Sequence, residues 1–295
     1  EGLFRFEIGI QSTYELTNKL VKRRQNFDKL TTNILRIKQG GKIVLHLDLI
    51  AGLPEEPYDR FEQSFNDVFA LRPEELQLGF LKMLRGTGLR KQADEFGYVY
   101  DEFAPYEMKR NDKLSESDVE KIHLAEEILE RYWNAHRMDY TMKFLVDNDF
   151  KTSPFDFMYR FGVYWNERYP WIRYQLSDLF TRLYDFLESI DYNQMPTILS
   201  YMKVDYLTNS KIKPKIWWQD RLQKEERRAI INQLAESSDE MKELLNTHKI
   251  NLPDIFKYAV LEPVYLDNQL KPSKELHYLI VIYLPNQTTQ YYIVK

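Results

Sequence analysis

The stretch "RFEIGIQST" at residues 5–13 decides the fold, because polar and apolar residues alternate along it. This alternation is the period-two pattern of a β-strand, and it places Arg5, Glu7 and Gln11 on one face and apolar residues on the other. An antiparallel strand with one solvated face has the same pattern. The stretch alone therefore leaves open whether its polar face meets solvent or lines a site.

The stretch "KIVLHLDLIAG" at residues 42–52 repeats the alternation, with His46 and Asp48 on one side and leucines on the other. Helical patterns lie between the two strands, and Ser12 and Glu15 have the spacing of a capping box at the start of the first helix. A further amphipathic helix leads to a third strand. Strand–helix–strand order with short loops predicts that the strands are parallel.

The polar face distinguishes between two arrangements of parallel strands. In an open doubly wound sheet both faces would be apolar, whereas a polar face fits a barrel whose helices cover the outside. We therefore predict that Glu7, Gln11, His46 and Asp48 point into a site. Gln11 and Asp48 are the best placed, because each lies at the carboxyl end of a strand and a turn follows at once.

The patterns after residue 115 are helical until the carboxyl terminus. There "LHYLIVIYLPNQTTQYYIVK" contains two β-runs around Pro285 and Asn286, which predicts a terminal hairpin. The predicted fold class is therefore α/β followed by α. A partial barrel occupies residues 1–110, and a mainly helical domain that ends in a β-hairpin occupies residues 111–295.

Composition excludes several classes of function. The 295 residues carry a formal net charge of -4, so bulk electrostatics gives no reason to expect a nucleic acid or an anionic membrane as partner. The longest apolar run, "YLIVIYL" at 278–284, is too short to span a bilayer, and no signal-peptide pattern is present, which predicts a cytoplasmic protein. Cysteine is absent, which excludes disulfides, thiolate-bound zinc and cysteine-held iron–sulfur clusters within these residues.

Several short strings resemble one known family. "EIGIQS", the basic pair Arg23 and Arg24, and "DLIAGLP" resemble the second half of a radical S-adenosylmethionine (radical SAM) barrel, especially the branch of oxygen-independent coproporphyrinogen oxidases and cobalamin-binding relatives. "FLKMLRGT" and "FAPYEM" resemble the cobalamin-binding branch described as similar to Mg-protoporphyrin IX monomethyl ester oxidative cyclase. The specific strings lie within residues 4–108.

The resemblance implies roles for individual residues. It implies that Gln11 and Asp48 hydrogen-bond the ribose of S-adenosylmethionine and that Arg23 approaches its carboxylate. Glutamine and aspartate suit a pair of hydroxyl groups, and the guanidinium fork suits a carboxylate. Four further residues are candidates for the substrate cavity: Glu7, His46, Lys82 and Arg85.

The chain departs from the family's pattern in two places. The family holds a 4Fe-4S cluster with a C-x-x-x-C-x-x-C loop, which is missing here, and Glu55 stands where the family usually has glycine. The resemblance therefore implies a fragment that begins near the fourth barrel strand and is inactive as it stands. The cluster, and cobalamin if the parent enzyme uses it, would belong to missing upstream segments, and the substrate would be a small molecule.

Other interpretations compete with this one. Glu7, His46 and Asp48 have the placement of a metal site, although hydrogen-bonded polar residues give the same pattern. The tyrosine- and tryptophan-rich helices, with Trp217 and Trp218, suit either a buried core or a noncatalytic module that docks a protein or a flat ligand. A half barrel would also expose strand edges, which predicts self-association.

Overall fold

The three predicted strands form a sheet in the computed structural model, which describes residues 4–169, 173–214, 217–218, 222–285 and 287–295. Strands β1 (Phe4–Gln11), β2 (Ile43–Ala51) and β3 (Glu75–Phe80) lie side by side in that order. Both pairings are parallel, which confirms the prediction from strand–helix–strand order. The mixed α/β class is thereby established, whereas closure into a partial barrel stays a prediction.

The two faces of this sheet differ as the alternation predicts. The buried face consists of aliphatic side chains: Ile10, Leu45, Leu47, Leu49, Leu76 and Leu78. Parallel register aligns the opposite face in rows, with Glu7, His46 and Glu75 in one row and Gly9, Asp48 and Gln77 in the next. The side chains of the second face are exposed or half-buried, so this face carries the predicted polar residues.

The remaining elements follow in chain order. The helices are α1 (Glu15–Leu20), α2 (Phe27–Gln39), α3 (Tyr58–Phe69), α4 (Gly88–Lys91), α5 (Glu116–Ile128), α6 (Asp139–Asp147), α7 (Pro154–Arg168), α8 (Leu176–Ser189), α9 (Met195–Asn209), α10 (Lys224–Ser237), α11 (Asp239–His248) and α12 (Ile255–Tyr258). A π-helical turn at Leu129–Asn134 extends α5, and a 3-10 turn at Leu252–Asp254 precedes α12. The further strands are β4 (Val99–Tyr100), β5 (Met108–Arg110), β6 (Ala259–Leu266), β7 (Pro272–Ile282) and β8 (Gln290–Val294).

Packing divides the chain into two compact units. The amino-terminal unit comprises residues 1–135 and 149–170, and the carboxy-terminal unit comprises residues 136–148 and 171–295. Residues 111–135 and 149–170 thus belong to the same unit as the parallel sheet, and within it α5 packs on α7 and α7 contacts α3. The predicted boundary near residue 110 between a barrel domain and a helical domain stays a prediction.

Local chemistry explains the helices that flank the sheet. The Asn26 side chain accepts a hydrogen bond from the Lys29 amide at 2.8 Å and so caps α2, and Gly41 takes a left-handed conformation beyond its end. The stripe of α3 that faces the core is aromatic and aliphatic, and it includes buried Phe61, Phe65 and Phe69. The predicted capping box at Ser12 is wrong, because α1 has no side-chain cap there.

The carboxy-terminal unit contains an antiparallel sheet in the order β6–β7–β8. Strands β7 and β8 pair as predicted for the terminal hairpin, although Asn286 of its turn lies outside the described residues. Strand β6 was not predicted. Trp217 and Trp218 are only 2 % and 1 % exposed to solvent, as expected of core residues. In the part of the chain that the structure describes, no helix combines the length and apolar character needed to cross a bilayer.

Candidate functional site

Strand β1 ends in a tight, strained turn at Gln11. The backbone φ of Gln11 is 65°, and the Ser12 amide donates to the Ile10 carbonyl oxygen at 2.8 Å across it. The pairing register with β2 also shifts between Gly9 and Gln11. A hydrogen bond across one left-handed residue is the rare form of the γ-turn, and strain of this kind concentrates at functional sites.

The side chains of Asp48 and Arg23 both approach Gly9. A Cβ atom built on Gly9 would lie 3.6 Å from both carboxylate oxygens of Asp48 and 3.8 Å from Nη2 of Arg23. Arg23 Nη2 also donates a hydrogen bond to the Gly9 carbonyl oxygen. The absence of a side chain at Gly9 therefore leaves open space that a carboxylate and a guanidinium both reach. The geometry brings these two predicted residues together at the predicted end of the sheet.

The electrostatics of Asp48 reflects this setting. Burial raises the pKa of the Asp48 carboxyl, and the charge of Arg23 opposes that rise. Glu7 raises the same pKa further, whereas His46 lowers it. The carboxyl is thus a half-buried acceptor beside a fixed cation, as a group that binds hydroxyl donors requires.

Arg23 also lines a cleft of about 530 Å³. The short helix α1 returns the chain so that the Arg23 amide donates to the Asn18 carbonyl oxygen at 2.8 Å, which keeps Arg23 near the end of β1. The cleft wall is cationic and amide-rich, and it includes Gly9, Arg24, Gln25 and Lys29. None of the described residues that line it is acidic, so the cleft suits an anionic group.

Two residues of the first row, His46 and Glu75, form a cluster with Arg5. Arg5 Nη2 donates to Glu75 Oε2 at 2.8 Å, and His46 contacts both of these side chains. His46 is therefore engaged by its neighbours, and Glu7 beside it is exposed. Among the described residues, no group of three histidine, aspartate or glutamate side chains is arranged to hold a metal ion.

Lys82 and Arg85 lie in the segment that follows β3. Lys82 forms an isolated antiparallel bridge with Glu107, and Arg85 stacks 5.5 Å from the centre of the Tyr106 ring. Arg90 stacks on the same ring at 5.0 Å. No hydrogen bond or ion pair that the structure describes joins Lys82 or Arg85 to the Asp48 side chain. Their part in a substrate cavity stays a prediction.

The loop after β2 contains Glu55, whose φ of 61° is left-handed. This conformation explains why glycine suits the position. We expect Glu55→Gly to raise the free energy of unfolding by about 1 kcal/mol, because relief of the left-handed strain exceeds loss of the exposed ion pair. That pair joins Glu55 to Lys113 at 3.0 Å.

Urea denaturation measures the change at Glu55. Lys113→Ala is the matched control, because it removes the same ion pair and leaves the backbone unchanged, and we expect little effect from it. A lower stability for Glu55→Gly than for the unmodified chain would show that the left-handed backbone carries no strain.

Sequence reasoning missed Glu56, the next residue of this loop. Glu56 is fully buried, and its carboxyl accepts hydrogen bonds from Ser12 Oγ at 2.6 Å and Ser64 Oγ at 2.8 Å. No periodicity marks Glu56, since it lies in a loop, and Ser12 is 44 residues away in sequence. The Ser12 hydroxyl thus donates to the Glu56 carboxyl, whereas the predicted capping box would have paired Ser12 with a first-turn amide of α1.

Comparison with known proteins adds a family. Residues 94–282 match DUF4080, a protein family of unknown function. The chain belongs to the DUF4080 family. The match begins after the parallel sheet and runs through most of the carboxy-terminal unit, so the polar face of β1–β3 lies outside it.

This DUF4080 chain is also similar to a coproporphyrinogen III oxidase. It is 25 % identical over 129 residues to anaerobic coproporphyrinogen III oxidase 1 of Cereibacter sphaeroides, a match that covers 42 % of this chain and 24 % of the oxidase. The chain thus spans about a quarter of the length of that relative. The similarity supports a relationship to the oxidase branch of the predicted resemblance.

A solved structure gives a weaker likeness. The Escherichia coli coproporphyrinogen III oxidase, described as a radical SAM enzyme, is 18 % identical with a TM-score of 0.32, over 42 % of this chain and 26 % of that one. The cyclase-like branch and cobalamin stay predictions.

Proposed function

We propose that the amino-terminal unit forms part of the S-adenosylmethionine site of a radical SAM enzyme. The observation that carries the proposal is the meeting of Asp48 and Arg23 beside Gly9 at the carboxyl end of a parallel sheet. Sequence similarity to a coproporphyrinogen III oxidase supports it independently. Gln11, Arg23 and Asp48 would contact the cofactor in this enzyme.

The residues present fit the nucleoside and the carboxylate of S-adenosylmethionine. Asp48 would accept a hydrogen bond from one ribose hydroxyl. The side-chain amide of Gln11, which makes no hydrogen bond within the described residues, would either donate to or accept from the adjacent hydroxyl. Arg23 lies at the edge of the cationic cleft, where the methionine carboxylate would be neutralised. Bound S-adenosylmethionine supplies radical or methyl-transfer chemistry, and the role of this chain is to hold and orient it.

The residues present do not fit a 4Fe-4S cluster. The chain has no cysteine, so we derive no step through the cluster. We propose that its ligands, and any cobalamin, belong to segments outside these 295 residues. The 295 residues would then lack activity by themselves, and a small-molecule substrate would enter between them and those segments.

The proposal predicts binding of S-adenosylhomocysteine, which keeps the ribose and the carboxylate and needs no cluster. Asp48→Asn should weaken the affinity of the chain by about tenfold or more, because the ribose hydroxyl would then donate to a neutral amide oxygen instead of a charged carboxylate. Equilibrium dialysis with radiolabelled S-adenosylhomocysteine measures this change.

The matched control is Asp28→Asn on α2, which removes the same charge from an exposed aspartate outside the cleft lining. We expect Asp28→Asn to bind like the unmodified chain. Equal affinity for Asp48→Asn and the unmodified chain would overturn the assignment of Asp48.

The alternative hypothesis is a noncatalytic module that docks a protein or a flat ligand. Trp217 and Trp218 do not favour it, because both are buried within the carboxy-terminal unit. Self-association through β1 stays a prediction. The exposure of Phe4 and Phe6 on this edge strand, 60 % and 42 %, is the reason to expect it. A monomer in sedimentation velocity at high concentration would contradict it.

A further inference from the structure

Glu56 connects two segments that contribute to the proposed site. It follows β2 in the chain, yet its carboxyl accepts the hydroxyl hydrogen of Ser12, the residue directly after Gln11, at 2.6 Å. Ser64 of α3 donates to the same carboxyl oxygen at 2.8 Å. Because Glu56 has no solvent exposure, water does not compete for these bonds.

Ser12 is in turn fixed by its other polar atoms. Its carbonyl oxygen accepts from Asn18 Nδ2 at 2.9 Å and from Gln25 Nε2 at 3.2 Å. Its hydroxyl oxygen accepts from the Tyr14 amide at 2.9 Å. These bonds hold the strained Gln11 turn on one side and the segment around Gln25 on the other.

The same network reaches Arg23. The Arg23 amide donates to the carbonyl oxygen of Asn18, whose side chain binds Ser12. A shift of Ser12 would therefore move Gln11 and Arg23 together relative to Asp48. Misplacement of a binding group by about 1 Å can cost two orders of magnitude in function.

We infer that Glu56 is a positioning residue for the cofactor site, which fixes Gln11 and Arg23 through Ser12. The inference rests on the proposed function of that site, and it assigns Glu56 no contact with the ligand. Nothing in the family match covers this loop, since the match begins at residue 94.

The state of the carboxyl supports this role. Burial raises the pKa of Glu56, whereas the two hydroxyl donors and the charge of Arg60 lower it. The second oxygen, Oε2, makes no hydrogen bond within the described residues. The glutamine amide has the same shape as this carboxyl and keeps one acceptor oxygen for the Ser12 and Ser64 hydroxyls.

The test compares Glu56→Gln, Glu56→Leu and Ser12→Ala for binding of S-adenosylhomocysteine, with thermal unfolding followed in parallel. We expect Glu56→Gln to bind within about twofold of the unmodified chain, and Glu56→Leu and Ser12→Ala to bind about tenfold more weakly. Ser12→Ala breaks the same link without placing an apolar side chain in the loop, so it decides the question if Glu56→Leu does not fold.

Thr17→Val is the matched control for a merely structural effect. Thr17 is buried nearby and donates to the Pro54 carbonyl oxygen at 2.8 Å, but it binds neither Ser12 nor Glu56. We expect it to lower the unfolding temperature and to leave affinity unchanged. Equal loss of affinity in Thr17→Val would overturn the positioning role.

The two proposals fail in different ways. If Asp48→Asn weakens binding but Glu56→Leu and Ser12→Ala bind like the unmodified chain, the inference about Glu56 is wrong and the proposed function stands. If the unmodified chain does not bind S-adenosylhomocysteine, or Asp48→Asn binds equally well, the proposed function itself is wrong.

Discussion

Glu262→Ala is expected to lower the free energy of unfolding of the carboxy-terminal unit by about 3–5 kcal/mol, the usual cost of breaking a buried ion pair. Glu262 lies on β6 with no solvent exposure. Its carboxylate contacts the ammonium group of Lys213, and the indole N–H of Trp218 donates to it at 2.8 Å. The ammonium group of Lys203 lies 3.9 Å away.

The size of the effect follows from what the substitution leaves behind. Without Glu262, the Lys213 ammonium group and the Trp218 N–H lose an anionic partner inside the unit, and buried polar groups without partners are costly. Glu275→Ala is the matched control, since Glu275 is an exposed residue of β7 that pairs with Lys295. We expect little change from it.

Hydrogen exchange followed by mass spectrometry reports the two compact units separately. For Glu262→Ala we expect faster exchange in β6 and β7, with the parallel sheet β1–β3 unchanged. Exchange in β6 and β7 at the rate of the unmodified chain would show that the buried network contributes nothing to stability.

Gly162→Ala is expected to destabilise the amino-terminal unit by about 3 kcal/mol, because the added methyl group overpacks a helix contact. A Cβ atom on Gly162 of α7 would lie 2.3 Å from the carbonyl oxygen of Leu124 in α5. Backbone lies on both sides of this contact, so no side-chain rotation relieves the clash. The higher helix propensity of alanine offsets only about 1 kcal/mol.

Gly88→Ala is the control for the general effect of replacing glycine by alanine. Gly88 begins α4, and beyond its own helix and chain neighbours no described residue places an atom within 4 Å of the Cβ that alanine would add. Urea denaturation should show a large loss for Gly162→Ala and a small change for Gly88→Ala. Similar stabilities of the two variants would mean that α5 and α7 separate at little cost.

The sequence predicted the parallel sheet because its evidence is local. Alternation in β1 and β2 marks one buried and one polar face, and the register of Gly9 with Asp48 follows from parallel pairing. The nearness of Arg23 to Asp48 came from family resemblance, since a helix of ordinary length would have placed Arg23 farther from the end of β1. The short helix α1 makes this nearness physically reasonable.

Strand β6 was missed because its sequence contains Glu262 and Pro263, residues that are typical of neither a buried strand nor a central one. Burial of Glu262 depends on Lys213 and Trp218, which lie far away in sequence. Pro263 is tolerated because β6 pairs with β7 alone and forms an edge of the described sheet.

The missed parts of the candidate site have similar causes. Glu56 is recognised only by its contacts with Ser12 and Ser64, which tertiary folding creates. The left-handed turn at Gln11 was not predicted, because a glutamine seldom adopts a positive φ without tertiary support. Both features belong to the site rather than to the regular helices and strands. Sequence patterns carry less information about such a site than about regular elements.

An NMR titration of the nitrogen-15-labelled chain with S-adenosylhomocysteine tests most directly whether the carboxyl ends of β1 and β2 bind this ligand. If S-adenosylhomocysteine binds there, we expect saturable shifts of the amide signals of Gly9, Gln11, Arg23 and Asp48, with the amides of β6–β8 unchanged. Saturable shifts confined to the carboxy-terminal unit, or no shifts at millimolar ligand, would contradict the proposal that the carboxyl ends of β1 and β2 bind S-adenosylmethionine.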